Sequence, residues 1–227
     1  DLMVERSIAM AKDAPPDKYA GLASVNQLAK QRDLSELEIC DPASEPSPTK
    51  LQEKAEIAEA SALEVGGVSQ VSGASASYGK YSVFMAASNG FTANYDRSSN
   101  SVSCVAIAGE GLNMERDYDA DTRVYQSDLR PSDEIGRTAG LRAVERLNPR
   151  RPATGSYPVI YDERVSSGLV GHFLSAINGA AITRGSSWLK DSLGKQVLPS
   201  TCKLVENPHR LRAGASRLFD SEGLATK

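Results

Sequence analysis

The sequence predicts an α+β protein, in which an antiparallel β-meander with flanking helices leads into part of a second, mixed α/β domain. Apolar residues recur at helical spacing before and after the middle of the chain, whereas after Gly66-Gly67 they alternate with polar residues, as is typical of strands. Within this alternating region, Asn89-Gly90 is a strong hairpin turn signal. We therefore expect an N-terminal α+β domain over residues 1–150 and the start of a truncated C-terminal domain over residues 151–227.

The first elements are predicted to be helical and separated by a long loop. Residues 2–12 have the apolar spacing of the end of an amphipathic helix, which Ala14-Pro-Pro-Asp17 would stop. Residues 19–48 are polar and contain several prolines, so they are predicted to connect that helix to the next. The next helix is expected to begin with Thr49 as the N-cap and Gln52 completing a capping box. Its buried face is predicted from a spacing of three and four: Leu51, Ala55, Ala58, Ala62 and Val65.

Strands and two further helices follow. The period-two segments predict five strands, over residues 68–77, 81–88, 91–96, 102–108 and 113–126. A helix is predicted from Pro131-Ser-Asp-Glu134, capped by Ser132, to Asn148-Pro149. Its expected buried face is Ile135, Ala139, Ala143 and Leu147. Residues 157–162 are predicted as a short strand and residues 166–178 as a helix rich in small residues, which another backbone is expected to approach closely.

Composition places the chain among ordinary globular proteins, since 40% of its residues are hydrophobic and 24% are charged. A net charge of -3 provides no general attraction for nucleic acid or an anionic membrane surface, so neither is predicted as a partner. The three cysteines are widely spaced and lack Cys-x-x-Cys pairs, which favours a reducing cytoplasm over a disulfide framework. No apolar run is long enough to span a membrane. Because the chain has no initiator Met, we expect it to be an internal part of a longer protein.

Three further patterns come close to known binding motifs. Residues 117–128 place aspartates as an EF-hand does, but Thr122 stands where that loop needs glycine, so a solvated strand edge is favoured over a calcium site. Two near matches to a phosphate loop, at residues 73–80 and 189–195, each lack a required residue, so no nucleotide cofactor is predicted. Five arginines, at 137, 142, 146, 150 and 151, are interpreted as a solvated helix face, with phosphate binding as the less favoured alternative.

The most informative segment is Ser166-Ser167-Gly168-Leu169-Val170-Gly171-His172. Together with Gly185-Ser-Ser-Trp-Leu-Lys-Asp-Ser-Leu-Gly-Lys-Gln-Val-Leu-Pro199, it resembles the PmbA branch of the TldD/PmbA family, whose members are also called TldE and modulator of DNA gyrase. Shorter motifs resemble the branch in the same order along the chain, among them Arg146-Leu-Asn-Pro-Arg150 and Phe219-Asp-Ser-Glu-Gly223. The resemblance covers most of the chain. In the N-terminal third it lies mainly in the order of the predicted elements.

The resemblance implies a degenerate metal motif. In the TldD branch the corresponding helix carries His-Glu-x-x-x-His, in which the histidines bind zinc and the glutamate is the general base. Here Ser167 stands at the first histidine, Gly168 at the glutamate, and only His172 remains. Catalytic zinc needs three protein ligands and a carboxylate to accept the proton of the bound water. We therefore predict no catalytic, cofactor-binding or metal-binding residues in this chain, and we interpret His172 as a packed or hydrogen-bonded histidine.

The function implied by the resemblance is that of a non-catalytic subunit in a cytoplasmic zinc metallopeptidase complex that degrades or processes peptides and unfolded proteins. A TldD-like paralogue would be its partner and would hold the zinc, and a homodimer would form in the absence of the paralogue. Two alternatives stay open at this point. One is an independent peptidase in which His172 or His209 acts with a carboxylate from elsewhere, and the other is a binding module that modulates a partner related to DNA gyrase. The peptide substrate, the stoichiometry and the partner surface do not follow from the sequence.

Overall fold

The computed structural model describes residues 2–15 and 21–227, and the contacts within the chain divide it into two units. The first unit runs to Pro149 and includes the last segment, Asn207–Lys227, whereas the second unit is Arg150–Glu206. The predicted α+β class is confirmed. In the described residues, five α-helices accompany one three-stranded antiparallel sheet.

Helix α1 spans Leu2–Asp13, so the first predicted helix is confirmed, and all of its residues are exposed. Residues 16 and 17 of the predicted stop signal, and residues 19 and 20 at the start of the predicted loop, lie outside the described residues. The rest of that loop is more than a connection, because it contains two 3-10 turns, Val25–Gln27 and Ser35–Leu37, and buries several apolar side chains.

Helix α2 spans Pro48–Leu63 and begins earlier than predicted. Its N-cap is Ser47, whose Oγ accepts the backbone N–H of Lys50 at 3.3 Å, so the predicted cap at Thr49 is wrong. Proline at the first helical position has a backbone already suited to a helix, which moves the start ahead of Thr49. The predicted buried face is confirmed, with Ala58 and Ala62 fully buried.

The five predicted strands form only three. They are β1, Val68–Ala86; β2, Thr92–Ala108; and β3, Glu115–Arg123, paired in the order β1-β2-β3. The hairpin predicted at Asn89-Gly90 is confirmed, and Gly90 takes a positive φ of +89°. Its turn is closed by Asn89, whose Oδ1 accepts the backbone N–H of Phe91 at 3.1 Å.

The predicted break before residue 102 is wrong because polar residues in the middle of β2 are buried with partners. Ser98 Oγ accepts the N–H of Asp41 at 2.7 Å and donates to the carbonyl of Val124 at 3.0 Å. Asn100 Nδ2 donates to the same carbonyl at 2.8 Å. A polar run resembles a loop in the sequence, but these side chains are satisfied inside the protein, so the strand continues through them.

Helix α3 spans Ser132–Glu145, and its predicted buried face is confirmed by Ile135, Ala139 and Ala143, which are fully buried. The predicted cap is wrong. Ser132 is the first helical residue, and Pro131 occupies the N-cap position without a side-chain hydrogen bond. Helices α2 and α3 pack on one face of the sheet around a core of small side chains: Ala58, Ala62, Val102, Cys104, Ala106, Ala108, Ile135, Ala139 and Ala143.

A second core lies on the opposite face, near the hairpin tip. Even-numbered residues of β2, such as Val102 and Cys104, belong to the first core, whereas the odd-numbered Ala93 and Tyr95 pack against the second. The second core is formed by Leu28, Ala29, Leu34, Leu37, Ile39, Phe91 and Phe219. The rings of Phe91 and Phe219 meet edge to face at 5.3 Å, so the last segment of the chain is held on the hairpin.

The second unit contains α4, Glu163–Ile177, and the short α5, Gly179–Thr183. The predicted strand over residues 157–162 is wrong, because in the described part of the chain those residues make no β-pairing. An apolar run becomes a strand only where another strand accepts its hydrogen bonds. Four of these residues, Tyr157, Val159, Ile160 and Tyr161, are instead exposed.

Candidate functional site

The helix that carries the degenerate motif is regular and well capped at its start. Asp162 Oδ1 accepts the backbone N–H of Arg164 at 2.9 Å and also the Nε of that arginine at 3.0 Å. The carbonyl of Asp162 accepts the N–H of Ser166 at 3.0 Å. This capping lets α4 begin at Glu163, three residues before the predicted start, and places the motif within its first three turns.

Ser167, Gly168 and His172 are all exposed on α4. Residues five positions apart on an ideal helix point about 140° away from each other, so the side chains of Ser167 and His172 do not converge. The sequence predicts a packed or hydrogen-bonded His172, and the packed alternative is wrong in the described structure, since its side chain is exposed. The three motif positions therefore provide one imidazole, one hydroxyl and no carboxylate.

These groups do not fit a catalytic zinc ion. Such a site needs three ligands of the nitrogen, sulfur or carboxylate type and a base beside the bound water. Among the described residues, no group of three or more His, Cys, Asp and Glu side chains is placed to hold a metal. The other histidine, His209, belongs to the first unit, where its Nε2 lies 3.0 Å from Thr226 Oγ1.

The expected close approach of another backbone to α4 is wrong for its central glycines. Within the described residues, a Cβ added at Gly168 or Gly171 would meet no atom within 4 Å. One contact of α4 is near its end, where Ser187 Oγ donates to the carbonyl of Ala176 at 2.5 Å and accepts the N–H of Leu189 at 2.9 Å. Ser187 and Leu189, both from the segment that carried the resemblance, are buried and hold this end of the helix.

Apolar side chains dominate the exposed surface of α4. Five are at least 40% exposed, ranging up to 57% for Val165: Val165, Leu169, Val170, Leu174 and Ile177. Further large apolar side chains of the second unit are exposed outside α4: Tyr157, Val159, Ile160, Trp188 and Leu193. An apolar surface of this extent is characteristic of a region that contacts another protein surface.

The aspartates that imitate a calcium loop bind arginines instead. Asp119 is buried, and its two carboxylate oxygens accept Arg130 at 2.5 Å and Arg142 at 2.6 Å. Asp117 is also buried and accepts Arg146 Nε at 2.6 Å. The prediction of a solvated strand edge is therefore wrong for these two residues.

The same pairs account for part of the predicted arginine face. Arg142 and Arg146 extend from α3 and the residue after it toward β3, so their charges are compensated within the fold. For Asp121, burial alone would raise the pKa, but the N–H of Arg130 and the Arg123 guanidinium hold that pKa below its usual value. The sequence contained both groups of charges, and only the fold shows that they pair.

The buried cysteine Cys104 is not a nucleophile. All three cysteines are free thiols. Burial, together with the nearby carboxylates of Glu59 and Asp119, raises the pKa of the Cys104 thiol to about 11. Cys104 is therefore protonated at neutral pH and lies within the first core, which makes it a small apolar packing residue.

Comparison with known proteins agrees with the motifs. The family model of the PmbA/TldA metallopeptidase central domain matches residues 41–147, and that of the PmbA/TldA metallopeptidase C-terminal domain matches residues 154–227. The chain belongs to the TldD/PmbA family. The recognition made from the sequence is thus confirmed, and the family is related to metallopeptidases.

Curated relatives in the TldD/PmbA family are PmbA proteins. The chain is 37% identical over 227 residues to metalloprotease PmbA of Escherichia coli O157:H7, covering 99% of this chain and 49% of that protein. It is 36% identical over 225 residues to the metalloprotease PmbA homolog of Haemophilus influenzae, again covering 99% and 49%. The chain spans about half the length of the curated relatives that it matches.

Solved structures of the TldD/PmbA family share the fold. A protein described as a modulator of DNA gyrase from Bacteroides thetaiotaomicron superposes with a TM-score of 0.87 at 26% identity, over 100% of this chain and 52% of that one. A protein of the same description from Thermotoga maritima gives 0.80 at 21% identity, over 98% and 51%. TldE from Thermococcus kodakarensis gives 0.59 at 17% identity, over 99% and 50%. The last two matches support the fold alone.

Membrane insertion was not expected from the sequence. Among the described residues, none of the helices has the length and apolar character needed to cross a bilayer.

Proposed function

We propose that this chain acts as the non-catalytic subunit of a zinc metallopeptidase complex of the TldD/TldE type, which degrades or processes peptides and unfolded proteins in the cytoplasm. The observation that carries the proposal is the pair Ser167 and Gly168, which stand on α4 where the catalytic branch has its first zinc ligand and its base. A TldD-like paralogue supplies the zinc and the base. This chain encloses the substrate and holds the active subunit in its working form.

The exposed surface of the second unit can be covered by the rest of the protein, since the chain spans about half the length of its curated relatives, or by another subunit. Apolar side chains along α4 are costly to leave in water, at roughly 25 cal/mol per Å² of apolar surface, and association is one way of covering them. The surface contains aromatic and aliphatic side chains of the kind enriched at the centres of protein interfaces. Without the paralogue, a homodimer would cover part of the same surface. The cytoplasmic setting is supported by three free thiols.

The direct test uses the full-length protein alone, its TldD-like paralogue alone, and the two co-expressed. We expect light scattering to show a mixed complex, and elemental analysis to show zinc only in samples that contain the paralogue. Cleavage of an unstructured peptide should require the paralogue and be abolished by a chelator. Stoichiometric zinc together with chelator-sensitive cleavage by this protein alone would overturn the proposal and favour an independent peptidase.

His172→Ala provides a sharper comparison in the complex. Because the His172 side chain is exposed and lacks a neighbouring ligand set among the described residues, we expect zinc content and cleavage to stay within about twofold of the wild-type values. Removing a true ligand would instead abolish both. The matched control is the equivalent histidine of the paralogue, whose replacement should eliminate zinc binding.

Restoring the motif tests the correspondence between α4 and the metal-binding helix. The double variant Ser167→His, Gly168→Glu has room to fold, because the space around Gly168 is open within the described residues, and glutamate favours a helix over glycine by about 0.5 kcal/mol. An overfilled site, which a tightly packed Gly168 would have produced, is not expected.

We expect this double variant to bind zinc weakly and to cleave little or no peptide. Two imidazoles about 140° apart share an ion only if the helix distorts. Among the described residues, no further ligand group is placed to complete a metal site. Calorimetric titration of the full-length variant, with Ser167→Ala, Gly168→Ala as the matched control, measures the uptake. A folded double variant with no zinc binding at all would contradict the correspondence.

A further inference from the structure

A cavity of about 890 Å³ in the first unit is lined by four arginines. They are Arg97, Arg123, Arg210 and Arg212, and we call this space the arginine cavity. Its floor is the face of the sheet that carries the odd-numbered residues of β2. On this face Tyr81 of β1 and Arg97 of β2 are cross-strand partners. Its wall is the segment 210–214. The volume lies within the range of about 300–1,000 Å³ that is typical of ligand sites.

The wall of the arginine cavity is firmly attached to the first unit. Arg212 has a positive φ of +52°, and its N–H donates to the carbonyl of Leu37 at 3.0 Å. Its guanidinium binds Glu38 at 2.5 Å and Asp128 at 3.2 Å and lies 4.0 Å from the centre of the Tyr125 ring. Contacts on three sides hold a backbone conformation that non-glycine residues rarely adopt, so the segment is ordered beside the sheet.

The four arginines differ in how their charges are compensated. Arg212 has two carboxylate partners, and Arg123 is paired with Asp121 at 3.0 Å. Among the described residues, neither Arg97 nor Arg210 has a carboxylate within 4.0 Å. The Arg97 guanidinium also reaches the wall, since its Nη2 lies 3.9 Å from the position of a Cβ on Gly214. Two arginines without a carboxylate partner among the described residues thus line one concave space, which favours an anion.

We propose that the arginine cavity binds a carboxylate-bearing segment of a peptide, with Arg97 and Arg210 as the principal contacts. Guanidinium groups match carboxylates in geometry and charge. Tyr81 and Leu211, which are 63% and 64% exposed, provide apolar surface beside the charges for the rest of the peptide. A nucleic acid fits less well, because it needs an extended basic surface, whereas the chain carries a net charge of -3.

The choice of a peptide rests on the proposed function, whereas the preference for an anion rests on the cavity. The test therefore uses the full-length protein without its paralogue and measures the fluorescence anisotropy of a labelled Glu-rich hexapeptide. A Gln-rich hexapeptide of equal length is the uncharged probe. We expect binding of the Glu-rich peptide to weaken as salt is added, because exposed charges are screened over about 10 Å at 0.1 M salt.

Variants assign the binding to the arginine cavity. Arg97→Gln and Arg210→Gln should each weaken binding of the Glu-rich peptide roughly fivefold, and the double variant roughly 25-fold. Arg137→Gln is the matched control, because Arg137 is exposed on α3, outside the cavity lining, and should bind like the wild type. Arg97→Lys, which keeps the charge, should retain most of the affinity. Thermal unfolding of every variant checks folding, and the exposed Arg210 keeps the test valid if Arg97→Gln is unstable.

Several results would overturn the proposal. Equal affinity for the Glu-rich and Gln-rich peptides would remove the anion site, as would an equal loss in Arg137→Gln. Tighter binding of single-stranded DNA or inorganic phosphate than of the Glu-rich peptide would show that the cavity prefers phosphate groups and would overturn the choice of a peptide. Binding of the Glu-rich peptide by a protein that forms no zinc-containing complex when co-expressed with its paralogue would uphold the arginine cavity and contradict the proposed function. The two proposals therefore fail separately.

Discussion

Replacing Asp119 with alanine is expected to lower the free energy of unfolding by about 3 kcal/mol, because it leaves two arginines without their shared partner. Asp119 is on β3 and has a side chain that is only 6% exposed, and it accepts Arg130 and Arg142 on separate oxygens. Removing one member of a buried ionic cluster costs more than the cluster contributes, since the remaining charges are partly desolvated. Urea denaturation followed by circular dichroism measures the loss.

Glu134→Ala is the matched control for this prediction. Glu134 also binds Arg130, at 3.2 Å, but its side chain is 53% exposed, so the change is expected to stay within about 0.5 kcal/mol. A further variant, Asp119→Asn, keeps the shape and one acceptor oxygen and should fall between the two. Equal stability of the Asp119→Ala and Glu134→Ala variants would contradict the prediction. It would show that the guanidinium groups of Arg130 and Arg142 become hydrated without lowering the free energy of unfolding.

Replacing Gly136 with alanine is expected to destabilise the protein by about 3 kcal/mol, although alanine is the better helix former. Helices α2 and α3 approach closely at this point, so that a Cβ on Gly136 would overlap the carbonyl oxygen of Ala58 and lie 2.7 Å from its carbonyl carbon. The obstacle is backbone rather than a flexible side chain. The helices would have to separate, and the first core would lose packing on both of them.

Gly168→Ala tests the same substitution in an open helical site. Within the described residues a Cβ there meets nothing within 4 Å, so we expect stabilisation by up to about 1 kcal/mol from helix propensity alone. Both variants are compared by thermal unfolding of the full-length protein. If Gly136→Ala were as stable as the wild type, the close contact between α2 and α3 would have to be more adaptable than its geometry indicates.

Local patterns in the sequence determined much of the first unit. The spacing of Ala58 and Ala62, and that of Ile135, Ala139 and Ala143, predicted the buried faces of α2 and α3, which the structure confirms. Asn89-Gly90 predicted the hairpin, because few other pairs accept the backbone that such a turn needs. These features depend on neighbours within a few residues, so the order of residue types is sufficient.

The sequence also determined the chemistry that the motif helix cannot perform. Ser167 is a poor zinc ligand and Gly168 has no side chain, so the prediction that these two positions lack a ligand and a base required no structure. The resemblance placed this motif in the TldD/PmbA family, and the comparisons confirm that membership. The chain spans about half the length of its curated relatives, so the activity of the whole protein belongs to the proposed function.

Only the tertiary structure decided which distant groups meet. The polar centre of β2 became a strand because Ser98 and Asn100 find partners at Asp41 and Val124. Asp117 and Asp119 of β3 are buried because arginines of α3 and of the residues flanking it neutralise them. A polar loop became a core because Phe219 returns from the end of the chain to pack on Phe91. In each case the burial of a polar or apolar side chain depends on a group far away in sequence. Composition and periodicity describe only residues that are close in sequence. They therefore do not predict which distant groups pair, and it is this pairing that makes the burial of these side chains favourable.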